Sequence, residues 1–228
     1  MSDEGKTANG KRLFVGARVS TQTANALAAC AEMLQRRARD AGIDFKWVAP
    51  TSYHVTLKFL GWTRDEAIAA LVDALEAAVA GVAPFKFRTA RLGAFGSLDK
   101  ASVPWAGIED GAALTEVAKR IGAATEAIGF PREPRAFHPH VTLARLRETR
   151  AVKDVVLPLS EQMFSESRVD GVTLFESETK PSGSLYKEIS RITFKSVQNE
   201  AVDASKRQTG ALELGDETDD GWPRGHGQ

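Results

Sequence analysis

Two stretches, Tyr53-His54-Val55-Thr56-Leu57-Lys58-Phe59-Leu60 and Pro139-His140-Val141-Thr142-Leu143-Ala144-Arg145-Leu146, share His-Val-Thr-Leu and a closing leucine. Each follows a helix-like segment and a short connector, and together they use two of the chain's four histidines in the same frame. Duplication of a lobe accounts for that better than chance. Successive side chains of a strand point to opposite faces, so His54 and Thr56 face one way while Val55 and Leu57 enter the core; His140 and Thr142 repeat the pattern. An approximate two-fold axis between the lobes would gather both imidazoles and both hydroxyls on one concave surface.

The surrounding periodicity supports this layout. Arg12 to Val19 suits a strand, and Thr21 to Ala41 sets Leu27, Ala31, Leu34 and Ala38 on one helical face behind a Ser20 or Thr21 cap. Phe45 to Val48 and Tyr53 to Leu60 are strand-like, and Glu66 to Val79 carries Ala67, Leu71, Leu75 and Ala78 at helical spacing. The second half continues with strands at Phe85 to Leu92 and Val103 to Ile108, then a helix through Leu114, Val117, Ile121, Ala124 and Ile128. Pro139 to Leu146, Val155 to Leu159, Arg168 to Ser177 and Leu185 to Phe194 complete the strands, with Pro181-Ser182-Gly183 as a turn before the last. The expected fold class is α+β: a bilobal, pseudo-two-fold duplicated fold whose mainly antiparallel sheets line a central cleft, with helices on the outer faces. Residues 1–10 read as a flexible tail, 11–198 as the two-lobed domain and 199–228 as an acidic flexible tail.

Composition narrows the class. The chain has 228 residues, 43% hydrophobic and 26% charged, which is ordinary for a globular protein with a real core. Its net charge of zero hides an asymmetry: residues 199–228 hold seven acids and three bases, a balance of −4, so the rest carries +4. That bias suits an anionic ligand without demanding long nucleic acid. A single cysteine, Cys30, lies among alanines and reads as a small buried thiol. No run approaches the roughly 20 apolar residues of a membrane span, and the N-terminus lacks the apolar core of a signal peptide. The expectation is a soluble cytoplasmic monomer.

Two imidazoles and two hydroxyls suit in-line attack on a phosphodiester. One group takes a proton from the entering oxygen, and another gives one to the leaving oxygen on the far side of phosphorus. Each transfer typically contributes roughly 10²–10⁴ in rate, or about 5–11 kcal/mol for the pair if independent. Thr56 and Thr142 would hydrogen-bond the non-bridging oxygens, where negative charge accumulates. Arg145 and Lys58 would add positive charge at the rim.

The paired His-x-Thr-x motifs resemble the two-histidine phosphoesterase superfamily. His138-Pro-His-Val-Thr-Leu-Ala-Arg145 and His54-Val-Thr-Leu-Lys-Phe-Leu-Gly61 resemble its RNA 2',3'-cyclic phosphodiesterase branch, first described as 2'-5' RNA ligases. Arg12-Leu-Phe-Val15, Arg91-Leu-Gly-Ala-Phe-Gly96, Val103-Pro-Trp-Ala-Gly107 and Val172-Thr-Leu-Phe-Glu-Ser177 with Tyr186 extend the likeness over about residues 11 to 195. The resemblance implies hydrolysis of RNA 2',3'-cyclic phosphate ends to a 2'-phosphate without cofactor or metal, on RNA ends or small cyclic nucleotides. It also implies a phosphate contact for Arg145. The near-symmetry of the motifs leaves open which histidine is which; His54 is taken as proton donor and His140 as proton acceptor.

Other readings remain open. The same residues could run the chemistry backwards as 2'-5' RNA ligation, or the fold could bind RNA or nucleotides without turnover. His138 and His140, with His54, also have the look of a metal-ligand set, although His138 reads more simply as a packing residue. Phe59, Phe95, Trp47, Trp105 and Tyr186 are candidates to stack on a base. Arg132 and Arg135 form a basic pair that suits either an RNA backbone or a plain surface loop. His226, in the acidic tail, has no expected role.

Overall fold

The computed structural model describes residues 9–180 and 183–194. Most of the expected N-terminal tail, the whole acidic tail with His226, and Pro181 and Ser182 of the turn lie outside them. The chain order is β1 (Gly10–Arg18), α1 (Thr21–Asp40), β2 (Lys46–Trp47), β3 (His54–Arg64), α2 (Ile68–Val79), β4 (Phe85–Ser97), β5 (Lys100–Glu109) and α3 (Ala112–Ala127). It continues with β6 (His140–Thr142), β7 (Ala144–Arg145), α4 (Lys153–Val156), β8 (Met163–Val169), β9 (Gly171–Lys180) and β10 (Gly183–Thr193).

Eight strands form one sheet in the order β10-β9-β1-β3-β6-β5-β4-β8, every pairing antiparallel, while β2 and β7 form a small ribbon of their own. The two expected lobes are therefore two four-stranded halves of one sheet, meeting where β3 pairs with β6. This sheet cannot be flat. Only Asp170 separates β8, at one edge, from β9, six positions away in the strand order. A flat sheet would hold those strands roughly 29 Å apart at about 4.8 Å per step, far beyond a one-residue link. Curling into a half-barrel brings them together. The start of α1 is fastened at the same side, where the Ser20 backbone N–H donates to Ser167 Oγ of β8 (2.9 Å).

The helices pack on the face away from the cleft because their buried residues recur at helical spacing. In α1 these are Thr23, Leu27, Cys30, Leu34 and Ala38; the Ser20 side chain caps the first turn by accepting from the Thr23 N–H, and Gly42 follows the last turn at φ 66°. α2 buries Leu71, Leu75 and Val79, and α3 buries Leu114, Val117, Ala118, Ile121 and Thr125. α1 rests on β8, while α3 rests on β3 and packs against α2. Val55 and Leu57 of β3, and Val141 and Leu143 at β6, lie in the same core cluster as these helices. Alternation in both motif strands is thus as expected where the histidines sit.

Three elements differ from the periodicity. Val155 to Leu159 is not a strand: Val152, Val155 and Val156 are buried at i, i+3 and i+4, a helical spacing, and form α4 followed by a 3₁₀ turn with Pro158 near its start. Packing there overrode the β preference of valine. Pro139 to Leu146 is not one strand but two, since after Thr142 the chain parts from β3 and pairs with β2, while the Leu143 and Leu146 N–H groups still donate to the Pro104 and Ser102 carbonyls of β5. Arg168 to Ser177 spans the corner at Asp170 and belongs to both β8 and β9.

Candidate active site

The seam between the halves sets the site. Val55 pairs with Val141, so the antiparallel register sets His54 across from Thr142 and Thr56 across from His140. Both valines point into the core, which leaves all four polar side chains on the cleft face. β6 is held in that register on its other side by β5, where Trp105 pairs with Thr142 and Gly107 with His140.

Each imidazole is fixed by the same local rule. His54 Nδ1 lies 2.7 Å from the Ser52 carbonyl and His140 Nδ1 lies 2.7 Å from the His138 carbonyl, each two residues upstream. A carbonyl only accepts, so Nδ1 carries the hydrogen in both rings, and Nε2 of the neutral ring is the basic atom. The Thr56 hydroxyl donates to His54 Nε2 (3.0 Å).

Aromatic rings surround both histidines. Phe14 stacks on His54 at 4.8 Å, Tyr186 meets it edge-on at 5.1 Å, and Phe175 lies 5.7 Å away. Gly16 makes room for this packing: a Cβ there would stand 3.1 Å from the His54 ring and 3.4 Å from Phe175. Phe95 meets His140 edge-on at 4.7 Å, and the His138 ring lies 6.2 Å from it. This burial pushes the His54 imidazole down to about 4, against the Ser52 hydrogen bond, which acts in the opposite sense. His140 is lowered for the same principal reason, and the charge of Arg145 depresses both. Burial therefore favours the neutral form of both rings.

The cleft encloses about 340 Å³ and is lined by His54, Thr56, Arg145, Arg12, Phe59 and Tyr186, among others. Of the expected residues, His54, Thr56 and Arg145 line this cleft, whereas His140 and Thr142 lie outside its lining and meet His54 and Thr56 only across the β3–β6 seam. Lys58 departs from expectation. A β-bulge at Leu57, where the register passes from Val15–Lys58 to Gly16–Thr56, turns Lys58 inward, and its buried ammonium donates to the Pro131 carbonyl. Phe59 takes the cleft-facing place instead. Of the other aromatic candidates, Tyr186 packs on His54, Phe95 and Trp105 flank His138, and Trp47 packs on Phe45 away from the cleft. Arg132 and Arg135 are exposed in the connection before β6. Among the described residues no group of three or more His, Cys, Asp or Glu side chains is placed to hold a metal ion. Sequence reasoning missed Phe14 and Phe175 as walls of the His54 pocket; their buried positions on β1 and β9 are apparent only from the sheet order.

Comparison with known proteins supplies the family. Residues 21–181 match the sequence profile of the 2'-5' RNA ligase superfamily. A protein of Archaeoglobus fulgidus named RNA 2',3'-cyclic phosphodiesterase is 31% identical over 145 residues, covering 63% of this chain and 81% of that protein. A protein of the same name from Aquifex aeolicus is 29% identical over 180 residues, covering 77% and 93%. One from Geobacillus stearothermophilus is 38% identical over 99 residues, but the match spans only 32% of its length. Among solved structures, one from Thermus thermophilus superposes with a TM-score of 0.68 at 25% identity, covering 82% of this chain and 99% of that one. E. coli LigT, solved with 3'-AMP, shares the fold with a TM-score of 0.61 at 21% identity and the same coverage. Among the described residues no helix is long and apolar enough to cross a membrane. Since the matched region takes in both His-Val-Thr-Leu strands and most of the sheet that joins them, the chain belongs to the 2'-5' RNA ligase superfamily.

Proposed function

We propose that this protein is an RNA 2',3'-cyclic phosphodiesterase that opens the cyclic phosphate to a 2'-phosphate by acid–base catalysis between His54 and His140. The observation that supports the reading is the register of β3 against β6, with His54 across from Thr142 and Thr56 across from His140, and Nδ1 of both rings bonded to a carbonyl so that Nε2 is the free nitrogen. The names of the relatives from Archaeoglobus and Aquifex support the reaction class.

In this scheme neutral His140 takes a proton from water at Nε2 as the water oxygen bonds to phosphorus. The P–O3' bond breaks on the opposite side, and O3' receives the proton carried by His54 Nε2. Protonation of His54 also changes the role of Thr56. While Nε2 is bare it accepts the Thr56 hydroxyl hydrogen; once Nε2 is protonated, that hydrogen is released to a non-bridging phosphate oxygen, where charge builds. Thr142 serves the other oxygen, and Arg145 balances the phosphate charge. Afterwards His54 is neutral and His140 protonated, and exchange with solvent restores the pair. Residues 11–198 are proposed as the catalytic unit, working as a cytoplasmic monomer on RNA ends or small cyclic nucleotides. The single buried cysteine suits a reducing compartment.

The test is incubation with a short RNA ending in a 2',3'-cyclic phosphate, in excess EDTA. The expected product carries only a 2'-phosphate. A 3'-phosphate product would overturn the assigned leaving group. Binding without turnover would favour a noncatalytic module, and loss of activity on chelation would indicate a metal. Joining of RNA halves bearing matched ends would reveal the reverse reaction.

A further inference from the structure

We propose that His138 is a positioning residue for the second motif: its solvent-open imidazole, lying nearly parallel to that of His140, takes up charge first in mild acid and so keeps His140 Nε2 free to accept a proton. This rests on the phosphodiesterase reading and adds an auxiliary third imidazole to it.

The two motifs are held alike but not flanked alike. The Ser52 carbonyl accepts from His54 Nδ1 and the His138 carbonyl accepts from His140 Nδ1, each at 2.7 Å. Any residue could supply that carbonyl. Ser52 brings no titratable side chain with it, whereas the His138 ring lies 6.2 Å from that of His140, centroid to centroid, with 24° between the planes. Its place is set from two directions. Trp105 meets the His138 ring edge-on at 5.1 Å and Phe95 does so at 6.0 Å. Pro139, between the two histidines, has a fixed φ and rests on Gly111, where a Cβ would stand 2.8 Å from the proline Cγ.

His138 is exposed and His140 is partly buried. Water stabilises a charged imidazole and burial disfavours it, so the first proton to reach this pair goes to His138. Its charge then opposes a proton on His140, more strongly than the charge of Arg145 does. The other charged groups nearby are committed elsewhere or are permanent. His54, across the seam, is itself held toward the neutral form, and Arg145 acts on both motif histidines. Arg18, which acts on His54, is paired with Glu188 at 3.0 Å. Glu109, which a continuation of the β5–β6 register sets toward His138, is engaged by Arg91 at 4.0 Å. Arg132, Glu133 and Arg135 are exposed in the connection upstream. At a 6.2 Å separation a unit charge moves a neighbouring titration by about 0.5–2 units, for effective dielectric constants from about 80 down to about 20.

The experiment titrates ¹⁵N-histidine-labelled wild type, His138→Phe and His138→Lys from about pH 8 to about pH 4 by NMR, and measures kcat/KM for a 2',3'-cyclic mononucleotide over the same range. Phenylalanine keeps a ring between Trp105 and Phe95 but never charges, and lysine is charged throughout. In His138→Phe, His140 should take up its proton about 0.5–2 units higher than in the wild type, and the acid limb of kcat/KM should move up with it. In His138→Lys both should stay low, as in the wild type. A His140 titration that is the same in His138→Phe as in the wild type would overturn the proposal by showing no coupling. One that rises equally in both variants would overturn it by showing that the ring only packs. If none of the three proteins hydrolyses the substrate, the phosphodiesterase reading fails, and the His140 titration by itself still decides whether His138 governs that ring.

Discussion

Raising the pH through neutrality should depress substrate capture well before it depresses turnover. His54 is held at about 4 by the aromatic rings around it, so at pH 7 about one free site in a thousand carries the His54 imidazolium, a cost of about 4 kcal/mol. An anionic phosphate at hydrogen-bond distance can offset that: a unit charge at about 4 Å contributes about 4 kcal/mol at an effective dielectric of about 20. The bound substrate thus brings the proton's affinity for His54 back near neutrality. Because His140 is lowered too, both apparent values of the free pair lie below the ordinary 6.5, and they belong to the pair rather than to either ring. The assay is steady-state hydrolysis of a 2',3'-cyclic mononucleotide from pH 4 to 9, with kcat and kcat/KM plotted separately. A bell in kcat/KM centred below pH 6.5 is expected, with the kcat bell at least one unit higher. Coincident profiles, or a kcat/KM that still rises at pH 8, would refute the desolvated neutral pair.

Three further outcomes follow from the same geometry. His54→Ala and His140→Ala should each lower kcat by about 10²–10⁴, with the double variant little worse than the poorer single one, because both rings act in one step; a loss below tenfold in either single variant removes the mechanism. Thr56→Val and Thr142→Val each delete one phosphate donor and should lower kcat by about 10²-fold while the melting temperature holds within a few degrees, as thermal unfolding of the pure variants will show. Folding should weaken in acid: the folded site holds His54 below its unfolded value, so its contribution is complete above pH 6.5 and is lost as the pH falls toward about 4. Urea unfolding at pH 7 and pH 4 should show His54→Gln losing less than the wild type, by on the order of 3 kcal/mol; equal losses would contradict the buried neutral ring.

The motif strands were legible because their signal is local. Alternation at His54-Val55-Thr56 and His140-Val141-Thr142 depends only on strand geometry, and the core position of Val55 and Val141 follows from it. The bulges at Leu57 and Leu60 depend on the partner strand, β1, which no window around β3 contains. Lys58 and Phe59 therefore exchanged faces relative to the simple pattern. Sheet order is non-local in the same way: Phe14, Phe175 and Tyr186 are far apart in sequence and meet around His54 only because β1, β9 and β10 are neighbours. In the Val155 to Leu159 run, a short apolar segment with β-branched residues fits both strand and helix, and its burial against the core decided for the helix.

The central claim is that both Nε2 atoms address one phosphorus. Its most direct test is an NMR titration of ¹⁵N-histidine-labelled protein with a slowly hydrolysed 2',3'-cyclic phosphorothioate nucleotide. His54 and His140 Nε2 should shift together, saturate at one equivalent and report a single dissociation constant, while both Nδ1 signals keep the character of a bonded N–H. Movement of only one ring, or two rings saturating at different ligand concentrations, would contradict a shared site.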